Sequence, residues 1–433
     1  MAAVEYVETV VVGAGQQGCG AAAALQELGH EALVLERAEI GQAWAHERWD
    51  SLLVGSGNRS VRFPGREYDG DDPDGFMSGP ELAGRLRRYV ADRGLQVREH
   101  TSVREVECLP DAPDHAEVRF RTHLSAGGAV ESRNLVVAVG GYAAPRTPAL
   151  AADVDPSIHQ LHSRDYRNPA ALPDGAVLVV GAGISGQQIA HELASAERRT
   201  FLAVGRHRAW PRQYRGRGLL DWLSALSLYD NFGTVGGDGD GCVLPGLPVT
   251  AVRDKREDLN VGTLADLGVT LVGSVRAADG GALLLKDNVV AVAEESARSF
   301  RHAVDMIDTR IRRRGFVAPE QKPAPEVPME HVADFGERLD LAHHGITTIV
   351  WSTGFGPDYR ILPRHVLDAN GAPIQENGRL GPLPGLYYAG LPDGNYVVPV
   401  GISANVENGR ALARLIHVDH VMRSGSSESL VTR

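Results

Sequence analysis

Short β-branched runs alternate with alanine-rich stretches along this chain, and the alternation predicts a strand–helix–strand framework. Residues 7–12 (VETVVV) have the composition of a buried strand. Residues 19–28 are alanine-rich and predict a helix, which Gly29 stops. Residues 32–35 predict the next strand. The same order returns later, with a strand at 176–180, a helix at 184–196 and a strand at 200–204. Between the two units lie a predicted helix at 81–93 and strand material at 96–106, 116–124 and 132–139. Further strands are expected at 347–351 and 385–390, and a last helix at 401–416. The expected fold class is α/β, with two Rossmann-like dinucleotide-binding domains, one inserted in the other.

Proline and glycine mark the joints. Residues 144–148 read as a crossing linker and 316–328 as a proline-rich connector. The layout expected is a first domain made of residues 1–155 and 330–422, with a second domain at 156–329. Residues 423–433 read as a flexible tail. An excursion at about 210–255, helical in part, carries Trp210, Tyr214, Trp222, Leu223 and Tyr229. It is either a binding wall or a packed helix pair.

Each strand–helix junction holds a glycine fingerprint. The first is Gly13-Ala14-Gly15-Gln16-Gln17-Gly18, and the second is Gly181-Ala182-Gly183-Ile184-Ser185-Gly186. In such loops the first glycine permits the tight turn and the second admits a pyrophosphate. The third lets helix pack on strand, and the helix N-terminus offers unpaired N–H groups to the phosphates. The units differ at the end of the following strand. The first ends in Glu36 and Arg37, and the carboxylate suits ribose hydroxyls. In the second, Gly205 stands in its place and Arg206 and Arg208 follow, an arrangement that admits a 2′-phosphate. Arg212 and Arg215 are alternative phosphate partners. The first site therefore suits FAD and the second NADPH, and two dinucleotides in one chain imply electron transfer between them.

Composition narrows the partners. The formal net charge of −11 argues against nucleic acid or an anionic membrane. The run Arg310-Ile311-Arg312-Arg313-Arg314 reads as a solvated helix face. Three cysteines, Cys19, Cys108 and Cys242, form no CxxC pair, which disfavours disulfide reductases. The chain enters a strand almost at once and has no apolar stretch of membrane-spanning length, so a cytoplasmic setting is expected. No His/Asp/Glu grouping has metal-ligand spacing in the sequence, and no metal is expected. No GxSxG nucleophile motif is present.

These features resemble the class B flavin monooxygenases, the group of flavin-containing, N-hydroxylating and Baeyer–Villiger enzymes. His162-Ser163-Arg164-Asp165-Tyr166 is similar to the second half of that family's FxGxxxHxxx(Y/F) fingerprint. Pro156 and Ile158 stand where Phe and Gly would be, and Tyr166-Arg167 replaces the Trp-Pro of Baeyer–Villiger members. Ile349-Val-Trp-Ser-Thr353-Gly354-Phe355 resembles the family's ATG-type strand. Trp44 and Trp49 resemble its flavin-adjacent segment. Asn58 resembles the Asn at the flavin's reacting edge, with Gly57 where Pro is common.

The resemblance implies cofactor contacts from Gly13, Gly15, Gln17, Gly18, Glu36, Arg37, Trp44, Trp49 and Val103. It adds Gly181, Gly183, Ser185, Gly186, Arg206, Arg208, Thr353, Gly354 and Asp393, with Asn58 as the catalytic candidate. The implied reaction is reduction of FAD by NADPH, then oxygen capture as a flavin C4a-(hydro)peroxide. Transfer to a small-molecule nitrogen or sulfur nucleophile completes it. The N-terminal end of the 401–416 helix would face the flavin ring. Ketone or carbon oxygenation, electron transfer without oxygen insertion, and a non-catalytic nucleotide sensor stay open as alternatives. Oligomeric state is not legible.

Overall fold

A computed structural model of the protein describes residues 5–109, 118–218, 221–222, 225, 258–322, 325–391 and 405–424. The first unit runs β1 (Glu5–Val12), α1 (Gln16–Glu27), β2 (Ala32–Leu35), α2 (Gln42–Ala45), α3 (Gly79–Arg93), β3 (Gln96–Arg98), β4 (Val103–Cys108), β5 (Phe120–Leu124) and β6 (Ala129–Val137). The chain continues through β7 (Ala144–Pro145), β8 (His159–His162), β9 (Ala176–Val180), α4 (Ile184–Ser195) and β10 (Thr200–Ala203). Then come β11 (Gln213–Tyr214), β12 (Arg217–Gly218), α5 (Val261–Asp266), β13 (Thr270–Val272), β14 (Val275–Asp279), β15 (Ala282–Leu285) and α6 (Val289–Arg314). The last elements are β16 (Arg338–Asp340), β17 (Ile346–Trp351), β18 (Phe355–Gly356), β19 (Leu386–Tyr388) and α7 (Asn405–Ser424).

Two parallel sheets organise these elements. In the first, the order is β3-β2-β1-β6, and β19 adds beside the C-terminal half of β6. The other half of β6 holds the antiparallel pair β5-β4. Helices α1, α3 and α7 cover one face through Leu25, Leu82, Leu86, Leu412 and Ile416. Helices α1 and α7 touch at glycines. A Cβ on Gly409 would lie 2.8 Å from the Gly20 carbonyl oxygen, so no larger residue fits that crossing.

The second sheet has the order β13-β10-β9-β17-β8, all parallel. One face carries α4, α5 and the start of α6 through Ile189, Leu193, Leu264 and Val289. The small antiparallel sheet β14-β15-β16 covers the other, placing Leu283, Leu285 and Leu339 against Phe201, Ile349 and Trp351. This arrangement corrects the expected domain boundary at 330. Strand β17 belongs to the second sheet, where Ile346–Trp351 is largely buried and lies between β9 and β8, and β16 belongs to the small sheet that covers it.

Helix α6 was not anticipated as an element. Its buried Val289, Ala293, Ala297, Phe300, Val304, Ile307 and Ile311 recur every three or four residues, the spacing of one apolar helix stripe. Gly315, at φ +66°, ends it after an exposed Arg312-Arg313-Arg314 turn, as the arginine run suggested. Cations in a last helical turn also complement the dipole.

The chain passes between the sheets twice, and the two passages pair with each other. β7 and β18 form an antiparallel ribbon, Phe355 opposite Pro145 and Gly356 opposite Ala144. The Arg146 N–H donates to the Gly354 oxygen at 3.0 Å, and the Thr353 hydroxyl donates to the Arg146 carbonyl.

Candidate functional site

The two glycine loops have nearly one geometry. Gly13 and Gly181 adopt φ +108° and +110°, a region closed to residues with a side chain. A Cβ on Gly13 would stand 2.6 Å from the Ala138 oxygen, and one on Gly181 would stand 2.5 Å from the Ser352 oxygen. Gly18 and Gly186 are tighter still, with a Cβ falling 1.9 and 1.8 Å from the Gly13 and Gly181 oxygens. Gly15 and Gly183 differ in kind, since nothing lies within 4 Å of a Cβ there. They are the N-caps of α1 and α4, neither helix has a side-chain cap, and neither carries an acid in its first turn. Each helix N-terminus thus lacks a side-chain cap and faces open space, a cradle that fits a pyrophosphate.

What holds each loop differs. In the first, Glu36 is 8% exposed and its carboxylate accepts the Ala14 N–H at 2.7 Å and the Ala38 N–H at 3.1 Å. The acid is thereby fixed beside the loop, where a ribose diol would pass. Arg37 points outward into an exposed pair with Glu47 at 3.0 Å. In the second, Gly205 leaves the strand end open, with Ser274 Oγ 3.8 Å from a Cβ as the nearest group. Here Gln187 Nε2 and the His207 ring hold the loop, both bonding to the Ala182 carbonyl oxygen at 3.0 and 3.2 Å. Burial pulls the His207 pKa down to about 4, so the ring is neutral and donates from Nδ1.

Arg206 is exposed and makes no hydrogen bond or ion pair among the described residues, whereas Arg208 Nε lies 3.6 Å from Glu295. The two alternative arginines are committed elsewhere. Arg215 Nε pairs with Asp308 at 2.8 Å. Arg212 reaches back to the first domain, donating to the Gly55 oxygen at 3.1 Å and stacking 3.6 Å from the Phe76 ring centroid.

Arg212 is 5% exposed, and its Nε and Nη2 have no partner. Burial lowers its pKa to about 9 against the opposing charge of Asp258. Asp258 accepts the Arg212 main-chain N–H and is itself pushed up to about 6 by burial. Arg212, Phe76, Gly55, Gly57 and Asp221 line a cavity of about 40 Å³. Gln213, which also borders it, leads to a second of about 500 Å³ lined by Tyr214, Asp258 and Gln321. Asn58 lies between Gly57 and Arg59, two residues that line the smaller cavity. It is 5% exposed, its Nδ2 donates to the Asp72 carbonyl at 2.8 Å, and its Oδ1 has no partner.

The remaining expected residues divide. Trp44 stands at the first loop, its indole N–H donating to Gln16 at 3.0 Å. Trp49 packs in the core of the second domain with Tyr166 and Leu172, a packing role across the seam. Val103 contributes its side chain to the cluster behind β1 and β2. Gln17 is buried beside Gly390, and Ser185 lies on the first turn of α4. Thr353 and Gly354 lead into the crossing ribbon directly after Ser352, whose carbonyl oxygen lies against Gly181 of the second loop. His162 fastens that ribbon. It accepts the Arg164 N–H on Nδ1 and donates from Nε2 to the Gly354 oxygen at 3.0 Å. Asp393, residues 401–404, most of the 210–255 excursion and the 425–433 tail lie outside the described residues.

One residue of the seam escaped the sequence. Arg48 lies within 5.8 Å of the ring centroids of Trp44, Tyr142 and Phe355, and burial lowers its pKa. Its neighbours come from three distant segments, so only the Trp44–Trp49 interval could have drawn attention to it.

Two anion-ready glycine loops on parallel sheets, one with an acid and one with free arginine, define a Rossmann-type flavoprotein oxidoreductase. Residues 10–216 match the family described as Pyridine nucleotide-disulphide oxidoreductase. Among the described residues both cysteines, Cys19 and Cys108, are free and buried. The chain is 26% identical over 388 residues to an uncharacterized oxidoreductase, CzcO, of Bacillus subtilis, covering 89% of this chain and 92% of that protein. It is 29% identical over 232 residues to the indole-3-pyruvate monooxygenase YUCCA1 of Oryza sativa, covering 52% of this chain and 55% of that one. A flavin monooxygenase mutant from Stenotrophomonas maltophilia shares the fold at a TM-score of 0.64 and 17% identity, covering 96% and 99% of the two chains. Flavin-dependent monooxygenases thus stand among both its sequence relatives and its structural neighbours, in line with the resemblance in the sequence. No helix among the described residues is long and apolar enough to cross a membrane.

Proposed function

We propose that this protein is an NADPH- and oxygen-dependent monooxygenase that holds FAD at the Gly13 loop and oxygenates a nitrogen or sulfur nucleophile of a small molecule. The observation that carries this reading is the unequal pair of strand ends, Glu36 in one nucleotide site and Gly205-Arg206 in the other. Bound FAD supplies the hydride acceptor and the oxygen-activating centre. The chain's own residues do the rest. Gly15 and the α1 N-terminus receive the FAD pyrophosphate, and Glu36 accepts from its ribose. Gly183 and the α4 N-terminus receive that of NADPH, with Arg206 on the 2′-phosphate.

Asn58, fixed through Asp72, keeps a buried Oδ1 without a partner and serves as the polar group for the flavin's reacting edge. Arg212 and Phe76 close the small cavity beside it against water. A nitrogen or sulfur nucleophile needs no protein base to attack an electrophilic oxygen.

The test is stoichiometry. Reduced protein mixed with oxygen and a panel of amines, thioethers and ketones is expected to consume one NADPH and one O2 per product gaining one oxygen atom. Stoichiometric hydrogen peroxide with every substrate would overturn the reading in favour of a reductase. Turnover confined to ketones would move it to the Baeyer–Villiger alternative.

A further inference from the structure

Far from both nucleotide loops, three imidazoles gather around one carboxylate. Glu8 projects from β1. His30 follows Gly29, which at φ +79° ends α1 and turns the chain toward β2. His417 and His420 lie three residues apart on α7, hence on one face. His420 Nδ1 is 2.9 Å from Glu8 Oε1, and His30 Nδ1 is 3.7 Å from Glu8 Oε2. On its other side, His30 Nε2 is 2.9 Å from His417 Nδ1. One donor atom from each of Glu8, His30 and His420 lies within 4.8 Å of the other two.

The spacings suit a cation. A zinc-type ion binds imidazole and carboxylate at about 2.0–2.2 Å, which sets two of its ligands roughly 3–4 Å apart. When His30 gives its Nε2 proton to His417, its Nδ1 carries a lone pair that faces a carboxylate oxygen. At 3.7 Å that contact is long for a hydrogen bond, and a cation between the two atoms would satisfy both lone pairs. His417 then plays the part of the outer group that fixes a ligating ring and its tautomer. The ring of His30 is 6% exposed, while Glu8 and His420 are 29% and 43% exposed, which leaves an entry path and room for water as a further ligand. Arg423, 4.0 Å from Glu8, is itself paired with Asp419 at 3.1 Å.

We propose that Glu8, His30 and His420 form a binding site for a divalent ion of the zinc type, Zn²⁺, Co²⁺ or Ni²⁺, with His417 as a positioning residue. Two nitrogens and one oxygen select these ions over Ca²⁺ or Mg²⁺. Such an ion fastens the C-terminal helix to β1, the strand that delivers the first glycine loop.

The experiment is equilibrium dialysis of the chelator-stripped full chain against Zn²⁺, with elemental analysis, and a Co²⁺ titration read by visible absorption. One ion per chain and a raised melting temperature are expected in the parent protein. His420→Ala, at the most exposed of the three ligands and so the safest substitution for folding, is expected to abolish both. Glu8→Gln should weaken binding roughly 10–100-fold. His417→Ala should do likewise while keeping the stoichiometry, in line with loss of an orienting partner. His343→Ala, in the exposed His343-His344 pair, should change nothing. Absence of stoichiometric Zn²⁺ binding in the parent protein, or unchanged affinity in His420→Ala, would overturn the proposal and leave the cluster as an ion-pair group.

Discussion

Beside the loop at Gly13, a buried carboxylate holds the backbone from the nitrogen side. Beside the loop at Gly181, an amide and a neutral imidazole hold it from the oxygen side. In both, the first glycine N–H bonds to the end of the neighbouring strand, Leu35 in one and Ala203 in the other. The next strand along closes the turn through Ala138 or Ser352. The backbone solution to pyrophosphate binding is therefore shared, and ligand choice resides in what stands at the following strand end. That separation makes the sites independently breakable.

The largest effects should come from the third glycine. Gly18→Ala or Gly186→Ala puts a methyl within 2 Å of a carbonyl oxygen that cannot retreat without opening the turn. A destabilisation of about 4 kcal/mol or more is expected, read as a fall in melting temperature. The two variants should differ in colour: Gly18→Ala loses flavin, whereas Gly186→Ala keeps it but is not reduced by NADPH. Gly15→Ala and Gly183→Ala are the control, since their methyls meet only ligand space. Both should fold normally and lose one nucleotide each.

Next come the charges. Glu36→Gln replaces an ionised acceptor to Ala14 with a neutral one, and roughly 1.5–3 kcal/mol of that interaction is at risk. Flavin dissociation during dialysis is expected to rise about 10–100-fold, with NADPH affinity untouched. Arg206→Ala should raise the NADPH KM by a similar factor and leave NADH unchanged. Equal use of both coenzymes by the parent protein would refute the division of labour. Arg208, already facing Glu295, should matter less.

The pH response is smaller and specific to the second site. An unfolded chain protonates this histidine near 6.5, but the folded chain resists until about 4. Between those values the unfolded state binds more protons, so stability falls as pH drops through the window and levels off below it. The full span amounts to about 3 kcal/mol at most. In His207→Asn this slope should vanish, and a parent-minus-variant stability difference that is flat from pH 7 to pH 4 would show that His207 is not held neutral.

Much of this was legible in the sequence because it is local. A glycine loop, the strand before it and the acid after it fall within a few dozen residues, and the first unit's elements lie where periodicity placed them. Sheet membership is not local. Ile346–Trp351 reads as a strand in any context, but only tertiary pairing decides that it joins β9 and β8. Trp49 illustrates the same limit, because an indole near a glycine loop can face a cofactor or, as here, a neighbouring core. Helix α6 shows the opposite failure: its apolar stripe is regular, but the arginine-rich end drew attention from it. The histidine cluster joins residues 8, 30 and 420, a distance along the chain that no spacing rule spans.

The paired passages β7 and β18 carry a mechanical consequence. A single covalent tether lets two bodies spin about it, but two tethers hydrogen-bonded edge to edge form a flat strap. A strap resists torsion and folds along one line, perpendicular to its strands. The Arg146 guanidinium, 3.0 Å from where a Cβ on Gly356 would sit, stiffens it further. Such a strap favours opening and closing along one arc over rotation of one nucleotide domain against the other. A dinucleotide on one domain then returns to the same face of the other on each closure, without a search over orientations.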